Sequence, residues 1–445
     1  MALVTRRLFI YCFAILLLAG PLRFVAAQSA AAAPQPSGQT AAPQPKPEQA
    51  YSLPPDKLAK AKTLNKIRLT LDIVGTFWGL AVLWWLLASR TAARLENWTQ
   101  QRVSRRWIQG LLFFAMFCII TDIAGLPLDM IGHTASRHFG ISVQGWGSWF
   151  GDQGKELALA LVFGTWILLF FNWLVRVSRR FYWVWIWLIS LPLIVAVVFI
   201  TPLVIDPLFN KFEPLTKTHA PLVDRLEQVV TRTGTNIPPQ RMFLMKASEK
   251  SNGLNAYVTG LGATKRFVMW DTVTDRVPDD EILFVFGHES GHYVLNHIPK
   301  MLAGMAVAMF VVFWAGARFA EWLVRRFGPR WQIDSVASRA GFLALMVAFS
   351  AANLILTPAA NSFSRHFEHQ ADVYGQEAIH GLVADPQKTA ISGFNHLGEA
   401  WLEDPDPNQF VEFWMYNHPS VQTRANFAAH YDPWANGGRG EFFAK

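Results

Sequence analysis

The sequence predicts a mainly α-helical, polytopic membrane protein with two polar blocks that fold together beside the bilayer. Three observations predict it. Of the 445 residues, 52% are hydrophobic and 16% charged, whereas a soluble domain carries about 25% charged residues. Six apolar segments recur, at 69–88, 107–128, 157–175, 181–205, 301–317 and 340–356, and about 20 apolar residues cross a bilayer. Arginines gather in alternate loops between those segments, the asymmetry that sets topology. The composition excludes a disordered chain. The cysteines, Cys12 and Cys118, both lie in apolar runs, which excludes a disulfide framework and a cysteine-rich zinc finger. The net charge of +8 falls at the ends of apolar runs. It therefore reads as a topology signal, and no nucleic-acid partner is expected.

Taken in order, residues 1–27 read as a secretory signal peptide or, if uncleaved, a signal anchor. Arg6 and Arg7 form the charged region, 8–18 the apolar region, and Val25-Ala26-Ala27 the small-residue cleavage site. Residues 28–56 are rich in Ala, Pro and Gln and lack the side chains to build a core, so they read as a flexible linker. Residues 57–205 hold four membrane helices. Trp84, Trp85, Trp107, Trp173, Tyr182 and Trp183 at their ends fit interfacial belts. Residues 206–300 are too polar to span. Residues 301–358 hold two further apolar segments at the short limit of about 17–25 residues, with buried helices of a large core as the alternative. Residues 359–445 are polar, helical first and loop-rich later.

Three loops carry the positive charge. The first holds Arg90, Arg94, Arg102, Arg105 and Arg106; the second Arg176, Arg179 and Arg180; the third Arg318, Arg325, Arg326 and Arg330. The positive-inside rule places all three in the cytoplasm. Alternation then puts both polar blocks outside, on the periplasmic face of a bacterial inner membrane, in keeping with an export signal. Membrane lipids are expected partners.

The strongest chemical signal is His288-Glu289-Ser290-Gly291-His292. Histidines at i and i+4 share one helix face. Asp279, Asp280 and Glu281 precede it, where a helix N-terminus favours acids. Both imidazoles can then reach one zinc ion. Glu289 is placed to take a proton from the attacking water and deliver it to the leaving amine. A chance match on a surface helix has the same spacing. A catalytic zinc also needs a third ligand and an open position. Glu368 is the candidate, on a run that continues the sixth apolar segment as one long helix. Glu368 and Asp372 stand at i and i+4, so Glu368 can ligate while Asp372 accepts a hydrogen bond from a ligand histidine. His366 and His369 are rival ligands, and a solvated polar face is the plain alternative. The donor set suits zinc, though cobalt or manganese fits the same groups.

Two further features flank these. Residues 255–260 and 266–270, joined by Gly260-Leu261-Gly262-Ala263, read as a hairpin. Its edge could take a peptide as an added strand, or it is simply structural. His418, in Asn417-His418-Pro419-Ser420, could donate to a developing oxyanion. Arg424 could hold the site or a substrate carbonyl or carboxylate. A lone His-Pro is also an ordinary loop feature.

These four pieces, in this order, resemble the type I CAAX prenyl endopeptidases, integral-membrane zinc proteases of the gluzincin kind. Asp206-Pro207-Leu208-Phe209-Asn210-Lys211-Phe212-Glu213-Pro214-Leu215, and Phe139-Gly140-Ile141-Ser142 with Asp152 and Lys155, extend the resemblance over about residues 53–424. It implies seven membrane helices that enclose a large chamber, with a zincin-type metalloprotease domain of helices and a small β-hairpin at the membrane face. It implies one Zn2+ per chain, held by His288, His292 and Glu368, with Glu289 as general base and Asp372 behind a ligand. It implies that Asn255 and Ala256 hold substrate backbone, and that His418 and Arg424 stabilise the transition state or touch substrate. The substrate is a polypeptide, with or without a lipid modification.

Two departures stand out. A signal-like segment takes the place of the family's first helix, so cleavage would leave six spans. Eukaryotic members place the catalytic domain in the cytosol, whereas the arginines here predict the outside. The resemblance leaves two substrate scopes, prenyl-peptide processing and quality control of membrane or secreted proteins. The reading from another class is a membrane scaffold or transporter with a fortuitous zinc site. That reading expects functional charges within the spans, where Asp122 is the main one.

Overall fold

A computed structural model describes residues 49–260, 262–435 and 437–443. The signal segment at 1–27 and the linker up to residue 48 lie outside the described residues. Helix α1 spans Pro55–Ala88, α2 Thr91–Arg102, α3 Arg106–His138, α4 Trp146–Val177 and α5 Tyr182–Ile200. A π turn, Thr201–Ile205, follows α5 at Pro202, where a proline cannot donate to the helical ladder. Strand β1 (Phe212–Pro214), α6 (Ala220–Thr233), β2 (Met242–Met245), β3 (Ala256–Thr259), β4 (Arg266–Trp270) and α7 (Asp279–Val294) make the first polar block. Then come α8 (His297–Trp331), α9 (Arg339–Ala378), α10 (Pro386–Trp401), a short helix Gln409–Met415 and α11 (Val421–His430).

Six described helices are long and apolar enough to cross a membrane: α1, α3, α4, α5 with its continuation to Phe209, α8 and α9. They coincide with the six apolar segments. Packing runs α1 to α3, α4, α5, α8, α9 and back to α1, so the helices close a ring. The chain is thus an integral membrane protein of mainly helical, polytopic fold. The sixth segment combines both expected roles. Residues 339–349 of α9 are all buried, residues 350–357 are not, and burial resumes at Pro358. Two hydrophobic cores therefore sit at opposite ends of the ring. One gathers Leu86, Phe113, Phe117, Leu168, Phe313 and Phe349. The other gathers Leu64, Leu226, Phe267, Phe286 and Phe394 in the polar blocks.

The ring has two faces of opposite character. Arg90 Nε donates to Arg330 O at 2.9 Å, Arg339 Nη2 to Arg106 O at 3.3 Å, and Asn172 Nδ2 to Ser338 O at 3.3 Å. These bonds join the first and third arginine-rich loops, and the end of α4 that leads into the second, at one end. At the other end, Tyr51 donates to Glu403 O at 3.0 Å and Lys250 pairs with Asp152 at 2.5 Å. There the two polar blocks meet in one domain. Its sheet has the order β1-β2-β4-β3. The expected hairpin is β3 antiparallel to β4, with Ala256 opposite Met269 and Val258 opposite Phe267. β2 lies parallel to β4, which leaves β3 on the edge.

Candidate active site and metal centre

Helix α7 starts at Asp279, Asp280 and Glu281. Asp280 bonds Arg225 of α6 at 2.6 Å, and Glu281 bonds His396 of α10 at 2.7 Å. The acids thus serve the positive helix end and two neighbours at once. The helix then crosses α9 closely. A side chain at Gly375 would place a Cβ 2.8 Å from the backbone nitrogen of His288. That approach brings residues 80 positions apart together.

At the crossing, His288 Nε2 and His292 Nε2 lie 3.2 Å apart. Glu368 Oε2 is 3.3 Å from His288 Nε2, and Glu368 Oε1 is 3.5 Å from His292 Nε2. A tetrahedral site with bonds of about 2.0–2.1 Å has ligand atoms roughly 3.3–3.4 Å apart. The three groups have that spacing. Glu368 Oε2 is also buried with no hydrogen-bond partner. An inward carboxylate oxygen facing two imidazole nitrogens calls for a cation. The charges make the same demand. Burial lowers the pKa of His288, yet the contact with Asp372 and the charge of the Glu368 carboxylate outweigh it and raise it to about 9. A proton is drawn where a metal fits. His292 is pushed down to about 3, chiefly by burial.

Each histidine has its own support. His288 Nδ1 is 2.8 Å from Asp372 Oδ1. Arg424 grips Asp372 with Nη2 at 2.5 Å and Nε at 2.9 Å, and stacks over Phe394. His292 Nδ1 instead meets His297 Nδ1 at 3.1 Å. His297 Nε2 meets Gln370 Oε1 at 3.1 Å. His297 is fully buried. Sequence reasoning missed His297 and Gln370. The signal was a third histidine five residues after His292. It is carried inward because Asn296 turns the chain in a left-handed conformation, which asparagine tolerates.

The other expected residues sort clearly. Glu289 is half-buried, and burial raises its carboxyl to about 7. Val258 N of β3 donates to its Oε2 at 3.3 Å. Trp270 N donates to Asn255 O, so alternate β3 groups, on Ala256 and Val258, face the free edge and the site. His418 Nε2 approaches Glu368 Oε2 at 3.3 Å. Its loop is pinned by Arg365 donating to Tyr416 O at 2.6 Å and by Ser420 capping α11. The rival ligands His366 and His369 are exposed and lie outside this cluster.

Together, a membrane-embedded helical ring and a His-Glu-x-x-His helix facing a distant glutamate define a polytopic membrane metallopeptidase. The family comparisons agree. Residues 205–432 match the model of peptidase family M48. Residues 39–211 match that of the CAAX prenyl protease N-terminal region, described as five membrane helices. The chain belongs to peptidase family M48, with the CAAX prenyl endopeptidases, and is a hydrolase. It is 32% identical to an uncharacterized metalloprotease of Bacillus subtilis, over 85% of this chain and 87% of that one. It is 29% identical to CAAX prenyl protease 1 of Saccharomyces cerevisiae, over 60% of this chain and 62% of that one. Its fold matches the crystal structure of S. mikatae Ste24p with a TM-score of 0.72 at 22% identity, covering 84% of this chain and 89% of that one.

Proposed function

We propose that the chain is a zinc-dependent endopeptidase that cleaves extended polypeptide at the membrane face. The observation that carries this is the triangle of His288 Nε2, His292 Nε2 and a Glu368 oxygen, with edges of 3.2–3.5 Å, beside Glu289 and an edge strand. A zinc ion bound there would polarise the scissile carbonyl and make water more acidic. The residues do the rest. Glu289, whose carboxyl burial raises to about 7, takes the water's proton and passes it to the leaving nitrogen. Main-chain groups of Ala256 and Val258 align the substrate as an added strand. His418 donates to the oxygen that gains negative charge. Arg424 keeps Asp372, and through it His288, in place.

The arginine-rich loops share the end opposite the site, so the positive-inside rule assigns the site to the outer face of a bacterial inner membrane. Protease accessibility of the polar domain in spheroplasts tests this; protection in spheroplasts and digestion only after lysis would reverse it. Secreted or membrane-inserted polypeptides are then the accessible substrates. Prenylated peptides, the substrates in the names of several relatives, remain the second scope. The deciding experiment pairs two matched peptides, one prenylated near its C-terminus. Wild type should cleave at least one. Glu289→Gln should be slower by about 10²–10⁴-fold with zinc content unchanged by elemental analysis. Equal cleavage by both enzymes would remove Glu289 as the base. The ratio between the peptides separates the two scopes.

A further inference from the structure

At the end of the ring opposite the catalytic domain lies a cavity of about 540 Å³, lined by Ala88, Ser89, Arg90, Arg94, Arg330 and Gln332. Three arginines line it. None of the three makes an ion pair among the described residues. Arg90 Nε donates to Arg330 O, and Arg94 Nη2 to Ser89 O and Thr91 Oγ1 at 2.9 and 3.2 Å. Those bonds go to neutral acceptors, so they orient the side chains without cancelling their charge. The buried carboxylate of α2, Glu96, is already engaged. It accepts from the backbone nitrogens of Arg339 and Ala340 at 3.1 and 2.9 Å and pairs with the Arg339 guanidinium. Arg90 and Gln332 both hold left-handed backbone, with φ of 62° and 58°. Such strain persists where the surrounding structure imposes it, often at ligand clamps.

One turn back along α1 from Ala88 is an aromatic cluster. Trp84 meets Phe327 and Trp331 edge-on at 5.5 and 5.3 Å, and Trp84 and Trp85 are exposed. Tryptophans mark the headgroup level of a bilayer. A basic hollow beside an aromatic belt, at the ends of α1 and α8, has the chemistry of a lipid headgroup site. A free phosphate needs the arginines but not the belt.

We propose that Arg90, Arg94 and Arg330 bind the phosphate of an anionic phospholipid, with its acyl chains lying along the exposed faces of α1 and α8. Charge repulsion between the arginines is relieved when the headgroup seats. The bound lipid then ties the α1–α2 turn to the α8–α9 turn.

Native mass spectrometry of the purified full chain, titrated with phosphatidylglycerol or phosphatidylcholine in mixed micelles, tests this. Wild type should retain phosphatidylglycerol in clear preference. The triple variant R90Q/R94Q/R330Q should bind it about a hundredfold more weakly, from about one energetic step per arginine. R105Q/R179Q/R180Q removes the same charge from the same face and should bind as wild type. R94Q alone, which alters one guanidinium at a helix surface, should lose about fivefold and serves if the triple variant does not fold. Equal losses in the two triple variants would reduce the effect to net charge and overturn the site. So would equal retention of both lipids. Displacement of phosphatidylglycerol by inorganic phosphate at equal concentration would assign the pocket to free phosphate instead.

Discussion

His288 and His292 sit one helical turn apart and face the same point, yet the protein holds them by different means. Behind His288 stands a charged pair, Asp372 and Arg424, buried to 3% and 6% exposure. Behind His292 stands a neutral chain, His297 and then Gln370. A carboxylate raises the basicity of the imidazole it contacts and fixes its tautomer. A neutral imidazole fixes the tautomer alone: with His292 Nε2 turned to the metal, its Nδ1–H donates to His297 Nδ1, and His297 Nε2–H donates to Gln370. The difference teaches that orientation and electrostatic strengthening are separable tasks. His288 receives both and His292 receives only the first. The charged support also does structural work, because α11 reaches the site through Arg424.

The largest effect is expected from breaking the charged side. Asp372→Ala removes the His288 acceptor and leaves Arg424 buried without its partner. Loss of one member of a buried pair costs about 3–5 kcal/mol, and loss of the group behind a ligand histidine weakens metal binding by roughly 10–100-fold. Thermal unfolding in detergent should therefore fall even for metal-free protein. Chelator competition should also strip the metal at much lower chelator concentration. Unchanged metal-free stability would mean that the Asp372–Arg424 pair contributes nothing to the fold.

His297→Phe breaks the neutral side while keeping a ring against Phe367, whose centroid lies 4.6 Å from that of His297. Metal affinity should fall by about tenfold, the lower end of the range for such groups. The unfolding temperature of the metal-free protein should stay close to wild type, because no charge is stranded. The two readouts together distinguish the supports: Asp372→Ala moves both, His297→Phe moves one. If His297→Phe bound metal as tightly as wild type, the His292–His297 contact would have no part in orienting the ligand.

Much of this was legible in the sequence, and the limits are physical. Local spacing revealed the helix of the candidate metal site, because i and i+4 must share a face. The same rule linked Glu368 to Asp372 and excluded the exposed His366 and His369 only once the crossing of α7 and α9 was known. The six spans followed from length and apolarity. The hairpin of β3 and β4 followed from its glycine link, but its edge position did not. That position depends on β1 and β2, which are short strands with weak patterns of their own. The mixed character of α9 was also hidden. An apolar run gives the same signal whether lipid or protein surrounds it, and here residues 339–349 meet protein while residues 350–357 are left unburied. His297 was missed because a histidine at the start of an apolar helix reads as an interfacial residue. Its role depends on the turn at Asn296 and on Gln370, which is 73 positions away.

The smallest effect is expected from the outermost link. Gln370→Leu keeps the bulk of the side chain and removes the acceptor for His297 Nε2–H. A neutral hydrogen bond contributes about 1 kcal/mol, and only part of that reaches the metal, because His297 remains packed on Phe367. Metal affinity should therefore fall by about two- to fivefold in chelator competition, less than in His297→Phe. In the double variant, Gln370→Leu should add nothing to His297→Phe, since the ring it orients is already absent. An additive loss would show that Gln370 reaches the site by another route, and the neutral support of His292 would no longer be a single chain.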